Sequence, residues 1–366
     1  MVEVREVSLQ DYEQIAELES RHGLETKTYD EWTHLWMNNP VYQPLARSWP
    51  AGWVLEDSNR KIIGYLGNIP LSYVFEGKKI LAATSRSWVV DAAYRSYSLL
   101  LLDYFFAQTN VDLFLTTTLN TDALEGFLFF APSPVPVGDW DHSNFWVTNY
   151  AGFLTSSLMV KEIPFAKPLS YPLSIPLFIR DRLSRRALKT IGTQASVQSC
   201  WSFDERFDTF WENLQVNQAH TLLGMRTREI LNWHFKHALL RRSAWIFCVN
   251  DGPRILAYSV FYCQDNPKFG LKRLRLADFQ TLTNDNLLLI PMLSRALDRS
   301  RCAGIHMLEI MGLSPEKAQV VEKLNPYRRK LRSWLSFYKT NDRQLAERLR
   351  DPKIWDLSCF DGDSSL

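Results

Sequence analysis

A strand-like run, a turn with one arginine and an apolar helix-like run follow one another in WVVDAAYRSYSLLLLDYFF, and this order could bind phosphate. Backbone N–H groups at a helix start carry partial positive charge and lack partners in the helix, so they attract anions. The turn that could form such a site begins at Arg95 and includes Ser96, Tyr97 and Ser98. The same pattern also fits a plain strand-to-helix connection with a surface arginine.

Two histidines form a second pattern with chemical potential. His234 and His237 are three positions apart in NWHFKHALLRR, a spacing that places both imidazoles on one face of a helix. A zinc site needs a third protein ligand, and local spacing supplies none, so we predict no metal site. The sequence also lacks GxSxG, P-loop, HExxH and GxGxxG motifs, which excludes the enzyme classes that depend on them.

The composition is that of a globular protein large enough for two cores. Of 366 residues, 46% are hydrophobic and 22% are charged. The net charge of +2 gives no sign of a nucleic-acid-binding surface. No apolar signal segment begins the sequence and no apolar run could span a bilayer, so we expect a cytoplasmic protein without a transmembrane segment.

An internal repeat positions these residues. GWVLEDSNRKIIGYLGNIPL from Gly52 resembles AWIFCVNDGPRILAYSVFYC from Ala244, and the offset stays near 193 residues over several elements. Each half is predicted to contain a helix, hairpin-linked strands, and then strand, helix, strand, helix and strand. Hairpins pair antiparallel, whereas strand–helix–strand segments pair parallel. The predicted fold class is α/β, with two tandem domains that each have a mixed, mostly antiparallel sheet, a central parallel pair and helices on both faces.

The repeat also predicts domain boundaries. We expect an N-terminal domain at residues 1–155, a connecting segment at 156–195 and a C-terminal domain at 196–366. The connecting segment is first proline-rich, which predicts extended chain, and then basic, which is compatible with an amphipathic helix. Residues 172–192 are therefore a candidate contact with a membrane surface or a protein partner, or simply a solvated linker.

The element order, together with VVDAAYRSYSLLLLDYF and LFLTTTLNTDALEGFLFF, resembles the GNAT superfamily of acyl-CoA-dependent N-acyltransferases. The repeat makes the chain similar to a tandem double-GNAT protein whose second domain is degenerate. That second domain is linked to the family only through the repeat. The resemblance implies acetyl-CoA or another acyl-CoA as co-substrate, and no metal.

In that family an arginine or glutamine after the fourth strand begins a turn with the pattern [RQ]-x-x-G-x-[GA], which binds the pyrophosphate of coenzyme A. Arg95 matches the first position, whereas Ser98 and Leu100 replace the two small residues. Leu100 either blocks the phosphate or turns inward toward the core. The cofactor-binding residues implied by the resemblance are Trp88, Val89, Val90, Arg95, Ser96, Tyr97, Ser98 and Asn120.

The next family motif is an asparagine with an alanine three residues on and a tyrosine seven residues on, the tyrosine being the usual general acid. Asn120 and Ala123 match, but Phe127 replaces the tyrosine and has no proton to donate. Thiolates leave without much help, so this loss would slow acyl transfer more than abolish it. Asp91 and Glu125 are candidate general bases acting through water, although a turn-forming or capping role is the favoured explanation for Asp91.

The predicted function is acyl-CoA-dependent N-acyl transfer of the acetyltransferase type to a small-molecule or peptidyl primary amine in the cleft between the domains. One alternative is a non-catalytic ligand-binding or scaffold protein, which Leu100 and Phe127 favour. Another is an aminoacyl-tRNA-dependent transferase of the peptidoglycan-bridge type, which the low net charge disfavours; no nucleic-acid partner is expected. The acidic C-terminus is expected to fray after an ordered Trp355, or else to fold back and bring Asp361 or Asp363 near the amine.

Overall fold

The computed structural model describes residues 2–136, 140–184, 186, 196–283, 285–331 and 333–366. Its strands are β1 (Glu3–Glu6), β2 (Gly52–Glu56), β3 (Ile62–Phe75), β4 (Lys78–Val90), β5 (Leu113–Leu119), β6 (Ser133–Pro134), β7 (His142–Val147), β8 (Val197–Cys200), β9 (Leu223–Gly224), β10 (Ala244–Asp251), β11 (Arg254–Cys263), β12 (Arg273–Thr281), β13 (Met307–Met311), β14 (Tyr327–Lys330) and β15 (Leu335–Lys339). Its helices are α1 (Tyr12–Arg21), α2 (Tyr29–Met37), α3 (Ser98–Phe106), α4 (Leu124–Leu128), α5 (Tyr150–Val160), α6 (Ala166–Leu183), α7 (Glu205–Asn217), α8 (Arg228–Leu240), α9 (Leu289–Cys302), α10 (Pro315–Glu322) and α11 (Arg343–Arg348).

The strands form two mixed sheets. The first has the order β1-β2-β3-β4-β5-β15-β6, with β9 paired to β3, and the second has the order β14-β7-β13-β12-β11-β10-β8. Neighbouring strands are antiparallel except for β4 with β5 and β12 with β13, which are parallel and connected through α3 and α9. The predicted fold class is therefore confirmed, including one central parallel pair in each sheet.

Each sheet includes the strand that comes last in the sequence of the other half of the chain. β7 is the last strand of the first half in sequence but pairs with β13 in the second sheet, and β15 is the last strand of the second half but pairs with β5 in the first sheet. The sequence predicts a final strand in each half but not this exchange. The predicted domain boundaries at residues 155 and 195 stay predictions. Because each sheet contains a strand from the other half of the chain, the two sheets are interlocked.

The predicted extended conformation of the proline-rich segment is wrong. α6 is a single helix that includes Pro172 and Pro176. Together with Pro168 these prolines recur every four residues, so they form one stripe along the helix, and all three are exposed. Water can therefore hydrate the carbonyl groups that lose their N–H partners. Of the predicted contact segment 172–192, residues 185 and 187–192 lie outside the described residues.

The larger hydrophobic core contains residues from both halves of the chain. Where α2 meets α8, the Trp233 indole donates to the His34 carbonyl at 3.0 Å, and the His34 ring contacts the Trp233 carbonyl at 2.9 Å. These reciprocal contacts fix the two halves against each other. None of the helices in the described ranges has the length and apolarity to span a bilayer.

Candidate functional site

A wedge opens where the parallel strands β4 and β5 separate. The two strands pair only from Ala82 to Thr84 on β4, after which β4 follows β3 and β5 follows β15. At the narrow end of the wedge, the hydroxyl oxygens of Ser85 and Thr116 are 3.0 Å apart. Beyond this point, no strand among the described residues pairs with the edge of β4 that faces β5.

The wedge leads into a cleft of about 1200 Å³ between the two halves of the chain. Seven of the ten site residues predicted from the sequence line this cleft, namely Trp88, Val89, Val90, Arg95, Ser98, Asn120 and Glu125. The other three, Asp91, Ser96 and Tyr97, do not. The opposite wall comes from α8, the β11–β12 loop and the C-terminal residues Asp363, Ser364, Ser365 and Leu366.

A β-bulge shapes the end of β4. Ser87 and Trp88 together lie opposite Leu66 on β3, and the backbone of Ser87 has φ = 55°. A bulge bends the strand that carries the extra residue and increases its twist. The last residues of β4 are therefore redirected at the point where the wedge opens.

One backbone donor faces the wedge. The N–H of Asp91 donates to the Ile63 carbonyl on β3 at 2.8 Å. Successive N–H groups of a strand point to opposite edges, so the N–H of Val90 points away from β3 and toward the wedge. An N–H group in this position can polarise a carbonyl group that is bound there.

The turn after β4 is a 3-10 helix, Ala92–Tyr97, that continues directly into α3. The N–H of Ser98 donates to the Arg95 carbonyl, so this amide is engaged within the turn, while both residues line the cleft. Leu100 is 40% exposed and does not line the cleft. The expectation that it blocks the site or turns inward is wrong, because its side chain faces solvent.

Trp88 and Gly126 form the floor of the wedge. The Trp88 indole donates to the Ser98 carbonyl at 3.3 Å, which joins β4 to α3. A Cβ atom at Gly126 would lie 3.2 Å from the Trp88 ring and 3.3 Å from Leu99. The glycine therefore allows α4 to approach this floor.

The residues expected to move protons have other contacts. Asp91 lies outside the cleft and accepts hydrogen bonds from Arg21 at 3.0 Å and His22 at 3.1 Å. Its carbonyl also accepts from the Tyr94 N–H, which matches the turn-forming alternative. Glu125 is exposed where it lines the cleft, whereas Phe127 is buried.

Asn120 caps the turn that follows β5. Its side chain accepts a hydrogen bond from the Asp122 N–H at 3.2 Å, which fixes the 3-10 turn Thr121–Ala123. This cap holds Asn120 at the open end of the wedge, among the residues that line the cleft. Asn120 therefore has a structural task that does not depend on a ligand.

Comparison with solved structures identifies this architecture. No protein-family model and no curated protein sequence matches the chain. N-myristoyltransferase from Saccharomyces cerevisiae, solved with bound myristoyl-CoA, is 12% identical over 93% of this chain and 79% of that one, with a TM-score of 0.61. A GCN5-related N-acetyltransferase from Anabaena variabilis ATCC 29413 is 11% identical over 93% and 73%, with a TM-score of 0.55. A probable N-acyltransferase from Enterococcus faecalis V583 is 8% identical over 93% and 72%, with a TM-score of 0.54.

The chain has the GNAT fold, in two tandem copies. The resemblance stated from the sequence is thus confirmed at the level of fold. In the first GNAT copy, β4 and β5 form the parallel pair with the wedge. In the second copy, β12 and β13 hold the corresponding position.

The C-terminal segment of this tandem GNAT chain closes the cleft opposite β5. The Thr118 hydroxyl donates to Asp363 at 2.9 Å, and Ser365 and His234 are joined by a contact of 2.7 Å. Burial raises the pKa of Asp363. The expectation of a frayed tail after Trp355 is wrong, because Leu357, Cys359 and Phe360 are buried, and the segment folds back as in the alternative.

A buried arginine anchors the same segment. Arg226 donates to Asp278 at 2.9 and 3.0 Å and to Asp361 at 3.1 Å, and all three side chains are almost fully buried. Burial raises the pKa of Asp361 to about 6, although Arg226 opposes this. For Asp278, burial acts in the same direction, but Arg226 holds its pKa below the usual range. No local sequence pattern predicts this cluster, because its members are far apart in the chain.

Lys27 adds an unusual amine to the cleft. It lies between α1 and α2 and lines the cleft near Arg86 and Arg241. Burial, with repulsion from Arg86, lowers its pKa to about 7. Within the described ranges, no group of three or more His, Cys, Asp or Glu side chains is arranged to hold a metal ion.

Proposed function

We propose that this chain is an acyl-CoA-dependent N-acyltransferase that acts on a primary amine. The observation that carries the proposal is the wedge between β4 and β5, which has a free backbone edge on one side and the Asp363 carboxylate near the other. The yeast neighbour was solved with bound myristoyl-CoA, and this supports an acyl-CoA ligand for the same fold here.

The residues of the wedge fit an acyl-CoA. The pantetheine arm is an extended chain with two amides, and the unpaired edge of β4 offers the partners that an added strand would use. Arg95 and Ser98, at the start of α3, would hold the phosphates. An acyl-CoA supplies an activated thioester, whose carbonyl oxygen the N–H of Val90 would polarise.

Asp363 is the proton acceptor in this proposal. The amine enters from the interdomain side of the cleft, loses a proton to Asp363 and forms a C–N bond as the C–S bond breaks. The thiolate then takes a proton from solvent, since Phe127 has none to give. A carboxylate with a raised pKa is a better base than an ordinary one, and the Thr118 hydroxyl holds it in place.

The tRNA-dependent alternative needs a basic surface for RNA, and in one candidate, the segment from Arg226 to Arg242, three arginines are engaged elsewhere. In RTREILNWHFKHALLRR, Arg226 is buried against Asp278, and Arg228 pairs with Asp208 at 3.3 Å. Arg241 forms an ion pair with Glu31. Ion-paired arginines have less to gain from RNA phosphates, so we retain acyl-CoA as the donor.

The test measures ligand binding and turnover separately. We expect coenzyme A and acyl-CoAs of increasing chain length to raise the melting temperature, because a ligand at 100 times its Kd adds about 2.7 kcal/mol to stability. We also expect thiol release when primary amines are added. No shift at millimolar ligand would reject acyl-CoA binding. A shift without thiol release across a broad amine panel would favour the non-catalytic alternative.

A further inference from the structure

The hairpin formed by α5 and α6 exposes more apolar surface than any other described segment of similar length. Among the described residues, 24 large apolar side chains are exposed, and 11 of them lie between residues 159 and 183. Phe165 at the tip of the hairpin is 79% exposed, and Leu183 at the end of α6 is 81% exposed. Apolar patches of this extent mark interaction sites in folded proteins.

α6 is attached to the protein along one side only. Of its 18 residues, only Ser170 and Asp181 are buried. Ser170 accepts a hydrogen bond from Thr155 of α5 at 2.8 Å, and Asp181 accepts one from the Tyr327 hydroxyl. The remaining faces of the helix have few protein contacts, so α6 does not build a core of its own.

The exposed side of α6 is a broad apolar face. At 100° per residue its exposed apolar side chains cover about 220° of the helix circumference, on the side opposite Ser170 and Asp181. They are Leu169, Leu173, Ile175, Phe178, Ile179 and Leu183, preceded by the N-cap residue Phe165. The stripe of exposed prolines runs through the same face. Each proline removes an N–H and frees a carbonyl group, which needs water or another donor. Such a face is suited to the interface between water and lipid, and not to the hydrocarbon interior.

The charges around this face are mostly positive. Between residues 159 and 184, the exposed charged side chains are Lys161, Glu162, Lys167, Arg180 and Arg182, whereas Asp181 is buried. The Arg182 guanidinium lies over the Phe178 ring at 5.1 Å, so this cation is carried on the apolar side of the helix. Long cationic side chains beside an apolar face can extend to lipid phosphates while their stems stay in apolar surroundings.

We propose that the α5–α6 hairpin, residues 150–184, binds the surface of a bilayer that contains anionic lipids. α6 lies parallel to the surface with its apolar face among the headgroups and upper acyl chains. The four exposed cations select anionic headgroups over neutral ones. This inference concerns where the protein works and does not depend on acyl transfer.

The test is sedimentation of the full chain with vesicles. One set contains phosphatidylglycerol and phosphatidylcholine, and the other contains phosphatidylcholine alone. We expect binding to the anionic set, weaker binding at high salt and little binding to the neutral set. Ile175→Asn combined with Ile179→Asn should weaken binding at least about tenfold, since each isoleucine contributes its apolar area.

Matched variants separate the hairpin from general surface effects. Leu183→Asn at the end of α6 should weaken binding, whereas Leu240→Asn at the end of α8, where the leucine is 72% exposed, should not. Lys161→Gln with Lys167→Gln should reduce binding to anionic vesicles. The control pair Lys78→Gln with Lys79→Gln removes the same charge from another exposed site and should not. Circular dichroism checks that each variant keeps its fold.

Three results would overturn the proposal. The first is no sedimentation with either vesicle set. The second is equal loss of binding in the hairpin variants and their controls. The third is a concentration-dependent dimer that does not form in the Ile175→Asn, Ile179→Asn variant, together with no vesicle binding by either protein. The apolar face would then be a contact between two copies of this chain.

Discussion

The Thr118 hydroxyl donates a hydrogen bond to the Asp363 carboxylate at 2.9 Å, across 245 positions of the chain. The contact attaches the C-terminal segment to the end of β5, where the parallel pair has already opened. Asp363 lines the cleft and has a raised pKa, so this contact positions the carboxylate that is the proposed proton acceptor.

Asp363→Asn should lower kcat by about 10²- to 10³-fold while acyl-CoA still binds, since a general base contributes about this much. The carboxylate must be ionised to accept a proton, so activity should rise with pH through the raised pKa of Asp363 and then level off. Asp103→Asn, on an exposed position of α3, is the control. An unchanged kcat in the Asp363 variant would remove it from the mechanism.

Thr118→Val tests the same pair through pH. The hydroxyl favours the ionised carboxylate, so its loss should raise the pKa of Asp363 further. The rising limb of the pH–rate profile should therefore move to higher pH, with a smaller loss of the plateau rate than in Asp363→Asn. A uniform loss of rate at every pH would instead indicate only a structural role for Thr118.

Arg95→Ala should weaken coenzyme A binding about tenfold or more, because a hydrogen bond to a charged group contributes about 1.5–3 kcal/mol. Leu100→Ala, five positions on, should leave the affinity unchanged, since its side chain faces solvent and does not line the cleft. Isothermal titration calorimetry measures both. If the Leu100 variant weakens binding as much as the Arg95 variant, the turn does not bind the ligand as proposed.

The pH dependence of stability should reveal Asp361. Its pKa is about 6 in the folded protein, above its ordinary value of 3.8 when unfolded, so the folded state binds more protons between these values. Asp361 therefore reduces stability progressively as pH rises from about 4 to 6, by up to about 3 kcal/mol. Urea unfolding of Asp361→Asn should lack this decline. The exposed Asp251→Asn variant should keep the wild-type slope.

Fragments 1–155 and 196–366 should not fold when produced alone. The first would lack β15 beside β5, and the second would lack β7 beside β13, so each would expose an unpaired strand in the middle of its sheet. Co-expression should restore a complex that contains both fragments. A cooperative thermal transition for either fragment alone, followed by circular dichroism, would contradict the interlocked arrangement.

Most of both sheets could be predicted from the sequence because hairpin turns and apolar strands are local signals, and the repeat supplied each signal twice. The exchange of β7 and β15 could not be predicted, since the edges of β5 and β13 are equivalent and a strand pattern does not say which edge it joins. α6 differs from the prediction because the four-residue spacing of its prolines keeps all three on one exposed side, where a helix tolerates them.

The candidate site, like the fold, could be predicted from the sequence only in part. Trp88, Val90 and Arg95 could be found because one strand–turn–helix segment contains them. The sequence points to Asp363 only through the alternative in which the C-terminal tail folds back, and it contains no signal for Lys27. Both reach the cleft through packing between segments that are distant in the chain, and this packing also causes their pKa shifts.

Lys27 should be the lysine most reactive near neutral pH. With a pKa of about 7, Lys27 carries a neutral amine in roughly half of the molecules at pH 7. A lysine with the ordinary pKa near 10.4 is neutral in less than about one molecule in a thousand at that pH. Brief treatment with acetic anhydride at pH 7, read by mass spectrometry, should therefore modify Lys27 before the exposed Lys78. The modification rate should level off above about pH 8, and acyl-CoA should protect Lys27 if the ligand fills the cleft. Equal rates and equal pH profiles for the two lysines would show that burial does not neutralise Lys27.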